Sequence, residues 1–146
     1  YRAEITEREQ RDSRARELLD QVGLPDAERL WTAYPSQLSG GMCQRVMIAL
    51  ALSVEPALVI ADEPTSALDA IMQERILELL MDLQQRYHFG MLFVTHDLRI
   101  ASQLSTHVGV MKEGRMVEAK PAQEFFQRPD QAYTESLIAS AEKLSL

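Results

Sequence analysis

The chain has 146 residues, of which 46% are hydrophobic and 25% are charged, and its formal net charge is -7. These values are typical of a globular protein, and the acidic balance argues against nonspecific binding to nucleic acid or to an anionic membrane surface. The single cysteine, Cys43, excludes an intramolecular disulfide and a four-cysteine metal site, and no apolar run reaches the roughly 18–20 residues that a membrane-spanning helix needs.

The first predicted element is an amphipathic helix. Residues 1–22 are dense in charges of both signs and carry apolar side chains at helical spacing, namely Ala15, Leu18, Leu19 and Val22. Gly23-Leu24-Pro25 is a helix-stopping sequence, and residues 26–38 are rich in turn formers. We therefore predict one exposed helix followed by an irregular segment.

A second helix is predicted after Ser39, a residue type favoured at helix N-caps. The helix should extend over residues 42–53, and we expect it to be buried because it is almost wholly apolar from Val46 onward. Pro56 ends this pattern, and residues 57–61 then predict a buried strand.

A long helix and a second buried strand follow. Residues 70–87 predict the helix, and after Gly90 the apolar run over 91–94 predicts the strand. One face of the helix is apolar, formed by Met72, Ile76, Leu79, Leu80 and Leu83. A short helix is expected over residues 97–105. Alternation of buried strands with helices predicts an α/β fold with a parallel sheet and crossover helices.

The last part of the chain predicts a β-hairpin and two helices. Lys112-Glu113-Gly114 lies between two strand-like segments, residues 107–111 and 115–119, and is a hairpin signal. Pro121 favours the start of a helix, and a final helix is expected over residues 133–144.

The Ser39-Gly40-Gly41 turn has the features of an anion site. Unpaired N–H groups at a helix N-terminus attract a phosphate, and the helix dipole adds about 0.3–1 kcal/mol at an exposed site. Glycines let the backbone approach the phosphate closely, and Ser39 adds a hydroxyl donor. An ordinary capped helix can have the same local sequence, so the turn by itself leaves both interpretations open.

Two adjacent carboxylates, Asp62 and Glu63, follow the first predicted strand, and His96 follows the second. Polar residues just past the carboxyl ends of parallel strands face the ligand crevice. Asp62 would suit Mg²⁺ bound through water, and Glu63 would suit a general base that activates water; a solvated acidic turn is the alternative for both. His96 could donate a hydrogen bond to a terminal phosphate, whereas His88 and His107 are interpreted as structural.

Taken together, these motifs resemble a known family. Residues 38–45, 58–69 and 95–97 are similar, in order and separation, to the signature, Walker B, D-loop and switch-histidine motifs of ATP-binding cassette (ABC) ATPases. The resemblance covers essentially the whole chain. It implies a P-loop NTPase-like parallel sheet with flanking helices, present in part and preceded by part of a helical subdomain.

The same resemblance divides the chain into three parts. Residues 1–38 would be part of the helical subdomain, and residues 39–106 would be the half of the ATPase core from the signature to the switch histidine. Residues 107–146 would form a C-terminal hairpin and helices. In this family two ATPase domains sandwich two ATP molecules with Mg²⁺, and their closing and opening drive a membrane permease.

The resemblance also implies roles for individual residues. The signature residues would contact, in trans, the terminal phosphate of an ATP held by the partner subunit; they are Leu38, Ser39, Gly40, Gly41 and Met42. Asp62 would help to place Mg²⁺ through water, Glu63 would activate the attacking water, and His96 would sense the terminal phosphate. Ser66 and Asp69, in the D-loop, would communicate across the dimer.

Within this family the likeness is to the peptide and nickel importers. Residues 34–42 and 60–69 carry it, and residues 128–140 resemble that group's C-terminal extension except at Gln131 and Ala132. The implied partners are a second ATPase subunit, in a homodimer or heterodimer, integral membrane permease subunits and a solute-binding protein, with no nucleic acid. The implied location is peripheral, on the cytoplasmic face of the cell membrane.

The sequence contains no P-loop of the form G-x-x-x-x-G-K-[ST]. Gly109 and Gly114 have the glycine spacing, but Arg115 and Met116 follow, and the segment predicts a hairpin. Because the chain also begins with Tyr1 and not with Met, we expect a C-terminal fragment whose phosphate-binding half lies upstream. Such a fragment alone should neither bind ATP tightly nor hydrolyse it.

Two other functions stay open at this point. One is a soluble ABC-type ATPase of DNA repair or translation, although the long insertions or second cassette usual in such proteins are not seen. The other is a non-catalytic ABC remnant that acts as an interaction module, against which the intact Glu63 and His96 argue. The transported solute is a property of other polypeptides, the permease and any capture protein.

Overall fold

A computed structural model describes residues 8–143, apart from the side chains of Ala27, Glu142 and Lys143. The chain divides into two compact units, with the boundary between Leu92 and Phe93. Helix α1, Arg8–Gln21, confirms the helix predicted at the start of the chain, whose first seven residues lie outside the described range.

The end of α1 is fixed by a glycine cap and by an arginine from further along the chain. Gly23 has a φ of +74°, in the left-handed region that glycine adopts without strain. The N–H of Leu24 donates to the Leu19 carbonyl at 2.8 Å, as in a Schellman motif. Arg45 Nη1 donates to the Val22 carbonyl at 2.6 Å, which places a cation at the negative end of the helix dipole.

The segment predicted to be irregular contains two short helical turns. They are α2, Ala27–Leu30, and a 3-10 helix, Pro35–Gln37. The N–H of Tyr34 donates to Gln37 Oε1 at 2.8 Å, which closes the 3-10 turn from its N-terminal side. This turn leads directly into Leu38 and the next helix.

Helix α3, Gly40–Leu52, and strand β1, Leu58–Asp62, form where the sequence predicted them. Their expected burial is only partly right. The residues of the two elements that are buried include Ile48, Ala49, Leu52 and Ala61, whereas the large apolar side chains left exposed are Met47, Leu50, Leu58 and Ile60. The prediction was wrong for the second group because an apolar sequence indicates a capacity for burial, and the described residues cover one side of each element.

Helix α4, Ala70–Tyr87, confirms the long helix, and it buries Ile76, Leu80 and Leu83. Strand β2, Gly90–Val94, pairs with β1 in a two-stranded sheet. Leu92 and Val94 are exposed, so the expectation of a buried strand is wrong here for the same reason as in β1. The succession of strand, helix and strand agrees with a mixed α/β fold.

The second unit is built on a β-hairpin. After the short helix α5, Leu98–Leu104, strands β3, His107–Lys112, and β4, Arg115–Pro121, pair antiparallel. Glu113 and Gly114 form the turn with positive φ angles of 49° and 75°, as a type I′ hairpin turn requires. The predicted hairpin is confirmed, and the segment from Gly109 to Gly114 is therefore not a phosphate loop.

Two helices complete this unit, α6, Ala122–Gln127, and α7, Ala132–Lys143. Val108 and Val110 of β3 and the fully buried Phe125 of α6 form its core. Partly buried side chains surround them, namely Val117, Ala122, Phe126, Tyr133, Leu137 and Ile138. Within residues 8–143, none of the helices combines the length and apolar character that a bilayer span would require.

A buried carboxylate from β4 holds the start of α7. Glu118 accepts hydrogen bonds from the N–H groups of Asp130, at 2.9 Å, and Gln131, at 3.2 Å. Lys120 Nζ lies 3.0 Å from the same carboxylate and 2.8 Å from Asp130 Oδ2. The backbone N–H of Asp130 is the largest cause that lowers the pKa of Glu118 to about 2, and the Lys120 side chain makes a smaller contribution. Glu118 therefore fixes the two residues that lead into α7 from a different element.

Candidate functional site

The predicted phosphate-contacting turn lies at the N-terminus of α3. Ser39 has extended backbone angles, and its Oγ accepts from the N–H of Met42 at 3.2 Å, which confirms it as the N-cap. Helix geometry leaves the N–H groups of the first residues, Gly40 and Gly41, without an acceptor inside the helix. Ser39 and Gly40 are exposed, so this end of α3 is accessible to a ligand.

The two glycines of the turn differ in their surroundings. Gly41 is buried, and a Cβ added there would overlap the terminal methyl group of Met72 on α4. At Gly40, which is exposed, the same atom would lie 3.7 Å from Leu68 Cδ2, an ordinary contact distance. Because the Met72 methyl group is the end of a flexible side chain that can move aside, packing alone does not require glycine at Gly41. The contact still places the turn directly against the start of α4.

Contacts with Pro35 fix the chain that enters the turn. The N–H of Leu38 donates to the Pro35 carbonyl at 3.2 Å, and the Cys43 thiol lies 3.5 Å from the same oxygen. Leu38 and Met42, the outer residues of the predicted signature, are half-buried. The turn is therefore anchored on both sides, with its middle residues exposed or packed on α4.

The predicted carboxylates lie at the end of β1, and both are exposed. Asp62 is the last residue of the strand, and alternation along the strand places it on the same side as Leu58 and Ile60. Glu63 has a φ of +42°, which is uncommon for a residue other than glycine. Such a conformation costs on the order of 1–3 kcal/mol and is concentrated at functional sites.

Hydrogen bonds within the turn between β1 and α4 involve both predicted D-loop residues. The N–H and Oγ of Ser66 donate to the Glu63 carbonyl, at 3.3 and 3.1 Å. Asp69 is the N-cap of α4, where its Oδ1 accepts from the N–H of Met72 at 3.0 Å. Both residues therefore stabilise this turn locally, and communication across a dimer would be an additional role.

His96 belongs to the second unit and lies exposed between β2 and α5. The next residue, Asp97, is the N-cap of α5, and its Oδ1 accepts from the N–H of Arg99 at 2.9 Å. The Arg99 side chain also binds this carboxylate, and this hydrogen bond is the main cause that lowers the pKa of Asp97. Sequence reasoning missed Arg99, because an N-cap Asp is a recognisable signal whereas an arginine two positions later belongs to no motif.

The carboxylates of the described residues are dispersed and do not form a metal cage. In residues 8–143, no group of three or more His, Cys, Asp or Glu side chains is arranged to hold a metal ion. Mg²⁺ does not need such a cage, because it commonly takes one or two carboxylates together with waters and substrate phosphates. The exposed carboxylate of Asp62 fits that mode of binding.

Comparison with known proteins identifies related sequences along nearly the whole chain. The family model described as ABC transporter matches residues 1–66. The oligopeptide transport ATP-binding protein OppD of Lactococcus lactis subsp. cremoris is 46% identical over 131 residues, which are 90% of this chain and 39% of that protein. The glutathione import ATP-binding protein GsiA of Escherichia coli K12 is 44% identical over 137 residues, which are 94% of this chain and 22% of that protein. The chain thus spans well under half the length of the curated relatives it matches.

Proposed function

We propose, from its similarity to ABC transporter ATP-binding proteins, that this chain belongs to that family and is a segment of the ATP-binding subunit of an importer. It would supply the signature turn and the catalytic carboxylate of an ATPase. One observation carries the proposal. The N-terminal end of α3 is exposed at Ser39 and Gly40 and packs through the buried Gly41 on α4, the helix that follows the turn bearing Asp62 and Glu63, so the two loops are held close to the same helix.

The signature turn would bind the terminal phosphate of an ATP held by a second subunit. The N–H groups of Gly40 and Gly41 and the hydroxyl of Ser39 are suitable donors at the positive end of the α3 dipole. The dipole contributes about 0.3–1 kcal/mol at an exposed site. This is too little to hold a nucleotide, so most of the affinity would come from a P-loop outside this chain.

The residues after β1 and β2 would carry the hydrolytic step. Asp62 would hold Mg²⁺ through water, and the ion, when bound, would neutralise charge on the phosphate oxygens. Glu63 would accept a proton from the attacking water. His96 would donate a hydrogen bond to the terminal phosphate and so report its presence. These assignments are supported by the exposure of all three side chains.

The solute would be a peptide, since the relatives are named for oligopeptide transport and glutathione import. A nickel importer is a close variant that the motifs also allow. The working assembly would contain a second ATPase subunit and permease subunits, with this subunit peripheral on the membrane. The apolar residues exposed on α3, β1 and β2 support a further part of the same protein, with the P-loop, packing on that side.

The function is tested by Glu63→Gln in the longer protein that contains this chain, assembled with its partners. We expect kcat for ATP hydrolysis to fall by roughly 10²–10⁴-fold, because the general base is lost, while ATP binding persists. The matched control is Glu74→Gln, an exposed glutamate on α4, which should leave the rate unchanged. A parent protein without ATPase activity, or an undiminished rate in the Glu63 variant, would overturn the proposal.

The 146-residue chain alone provides a complementary test. Without a P-loop it should show neither tight ATP binding by calorimetry nor turnover in a phosphate-release assay. Sustained hydrolysis by the purified chain would contradict the division of the site between this segment and residues elsewhere.

A further inference from the structure

His96 lies in the middle of a turn whose two neighbours are both held by hydrogen bonds. On one side, Thr95 Oγ1 accepts from the N–H of Asp97 at 3.0 Å. On the other side, Asp97 caps α5 by accepting from the N–H of Arg99 at 2.9 Å. These two bonds connect the end of β2 to the first turn of α5 and restrict the backbone that carries the imidazole.

The Asp97 carboxylate is in turn held by the Arg99 side chain at both oxygens. Arg99 Nε donates to Oδ1 at 3.2 Å, and Nη2 donates to Oδ2 at 2.8 Å. Such a two-point contact fixes the plane of a carboxylate, which the single ammonium of a lysine cannot do. Exposed ion pairs add little to stability, and the Arg99 side chain is 68% exposed. We therefore attribute the Arg99–Asp97 pair to the orientation that it gives the carboxylate, and not to a contribution to the stability of the fold.

We propose that Arg99 is a positioning residue for His96. The forked guanidinium of Arg99 fixes the orientation of the Asp97 carboxylate. Asp97 in turn fixes the backbone from Thr95 to α5, and this backbone sets the direction of the His96 imidazole. Without the Arg99 side chain, Asp97 keeps only its hydrogen bonds from the backbone N–H groups of Arg99 and Ile100, and the plane of its carboxylate is less restricted. The catalytic benefit rests on the proposed function, in which His96 donates to a terminal phosphate.

The positioning itself is tested by NMR on the 146-residue chain, independently of any ATPase activity. In Arg99→Gln the ¹⁵N signals of the His96 imidazole and the amide signals of Thr95–Arg99 should shift and broaden. Arg99→Lys should restore them only in part, because it keeps the charge without the fork. The control is Arg115→Gln, an exposed arginine of the hairpin in the same unit. Unchanged His96 signals in Arg99→Gln would overturn the proposal.

A second measurement separates this inference from the proposed function. In the longer protein, Arg99→Gln should lower kcat for ATP roughly 10-fold with KM nearly unchanged, less than the ~10²-fold that a 1 Å misplacement can cost. Combined with His96→Gln it should cause no further loss, because both act through the same imidazole. If the parent is active and Arg99→Gln has a normal kcat, the positioning role of Arg99 is refuted while the proposed function stands. If the parent lacks ATPase activity, the proposed function fails, and the NMR signals of His96 decide the positioning.

Discussion

The two units of the chain use their apolar residues in different ways. In the second unit, the hairpin and helices α6 and α7 enclose a core whose centre, Phe125, is 0% exposed. In the first unit, Ile60 is 63% and Leu92 is 52% exposed, on strands that pair with each other. The second unit thus closes its core with its own residues. The first has a buried side and an apolar side that the described residues leave in contact with solvent.

Their carboxylates differ in the same way. Glu118, in the second unit, is buried and used to hold the start of α7. Asp62 and Glu63, in the first unit, are exposed at the end of a strand, and Glu63 adopts a strained backbone. Burial with hydrogen bonds from backbone N–H groups indicates a structural carboxylate, whereas exposure at the end of a strand agrees with the roles proposed for Asp62 and Glu63.

The largest expected effect comes from opening the core of the second unit. Phe125→Ala should cost about 3–5 kcal/mol, because it removes a fully buried aromatic side chain and leaves a cavity. Hydrogen exchange of the β3 and β4 amides measures this loss. The matched control is Phe126→Ala, at a half-buried neighbour, where the cost should be smaller. An equal loss of protection in α4 would show that the two units unfold together and would break the comparison.

Local signals in the sequence predicted most of the elements. Lys112-Glu113-Gly114 marked the hairpin, Ser39 marked the start of α3, and the periodicity of residues 70–87 marked α4. These features depend on interactions between near neighbours, which a sequence displays directly. Ser39 at the start of α3 and the two carboxylates at the end of β1 also lie at the element ends where the sequence predicted them, whereas their functional roles stay predictions.

The features that could not be predicted depend on contacts between distant residues. Arg45 reaches the Val22 carbonyl across 23 positions, and Glu118 reaches Asp130 across 12. Neither pair has a fixed spacing that a pattern could reveal. The burial of Gly41 against Met72 is of the same kind. The exposure of Ile60 could not be predicted either, because apolar strands look alike whether one or both faces are covered.

The second prediction concerns acid. The folded-state pKa of Glu118 is about 2, below its ordinary 4.5, so the folded state binds this proton less readily than the unfolded state. Its stabilisation of the second unit should be complete above pH about 4.5 and lost as the pH falls to about 2. Glu118→Gln should lower the stability of this unit at neutral pH and flatten its acid dependence. Thermal unfolding across this pH range measures both effects.

Glu124→Gln provides the control for this experiment, since Glu124 is an exposed carboxylate on the neighbouring helix α6. It should keep the acid dependence of the parent chain. If Glu118→Gln also kept that dependence, the buried carboxylate would not be what distinguishes the second unit, and the contrast with Asp62 would lose its basis.

The smallest effect is expected on the open side of the first unit. Ile60→Thr keeps a β-branched side chain in β1, and because Ile60 is largely exposed the free energy of unfolding should change by less than about 0.5 kcal/mol. Ile76→Thr, the same change at a fully buried position of α4, should cost several times more. Urea denaturation of the two variants compares them. A large loss in Ile60→Thr would show that this side is already covered in the 146-residue chain.

The same substitution should behave differently in the longer protein. If further residues of the protein pack on β1, as proposed, Ile60 becomes buried there and Ile60→Thr should destabilise it nearly as much as Ile76→Thr. In the isolated chain the substitution should instead reduce self-association, measured by sedimentation, because it makes an exposed apolar surface more polar. If Ile60→Thr had an equally small effect on stability in both proteins, the apolar side of the first unit would be exposed in the longer protein too. The contrast between the units would then hold for the whole protein and not only for this segment.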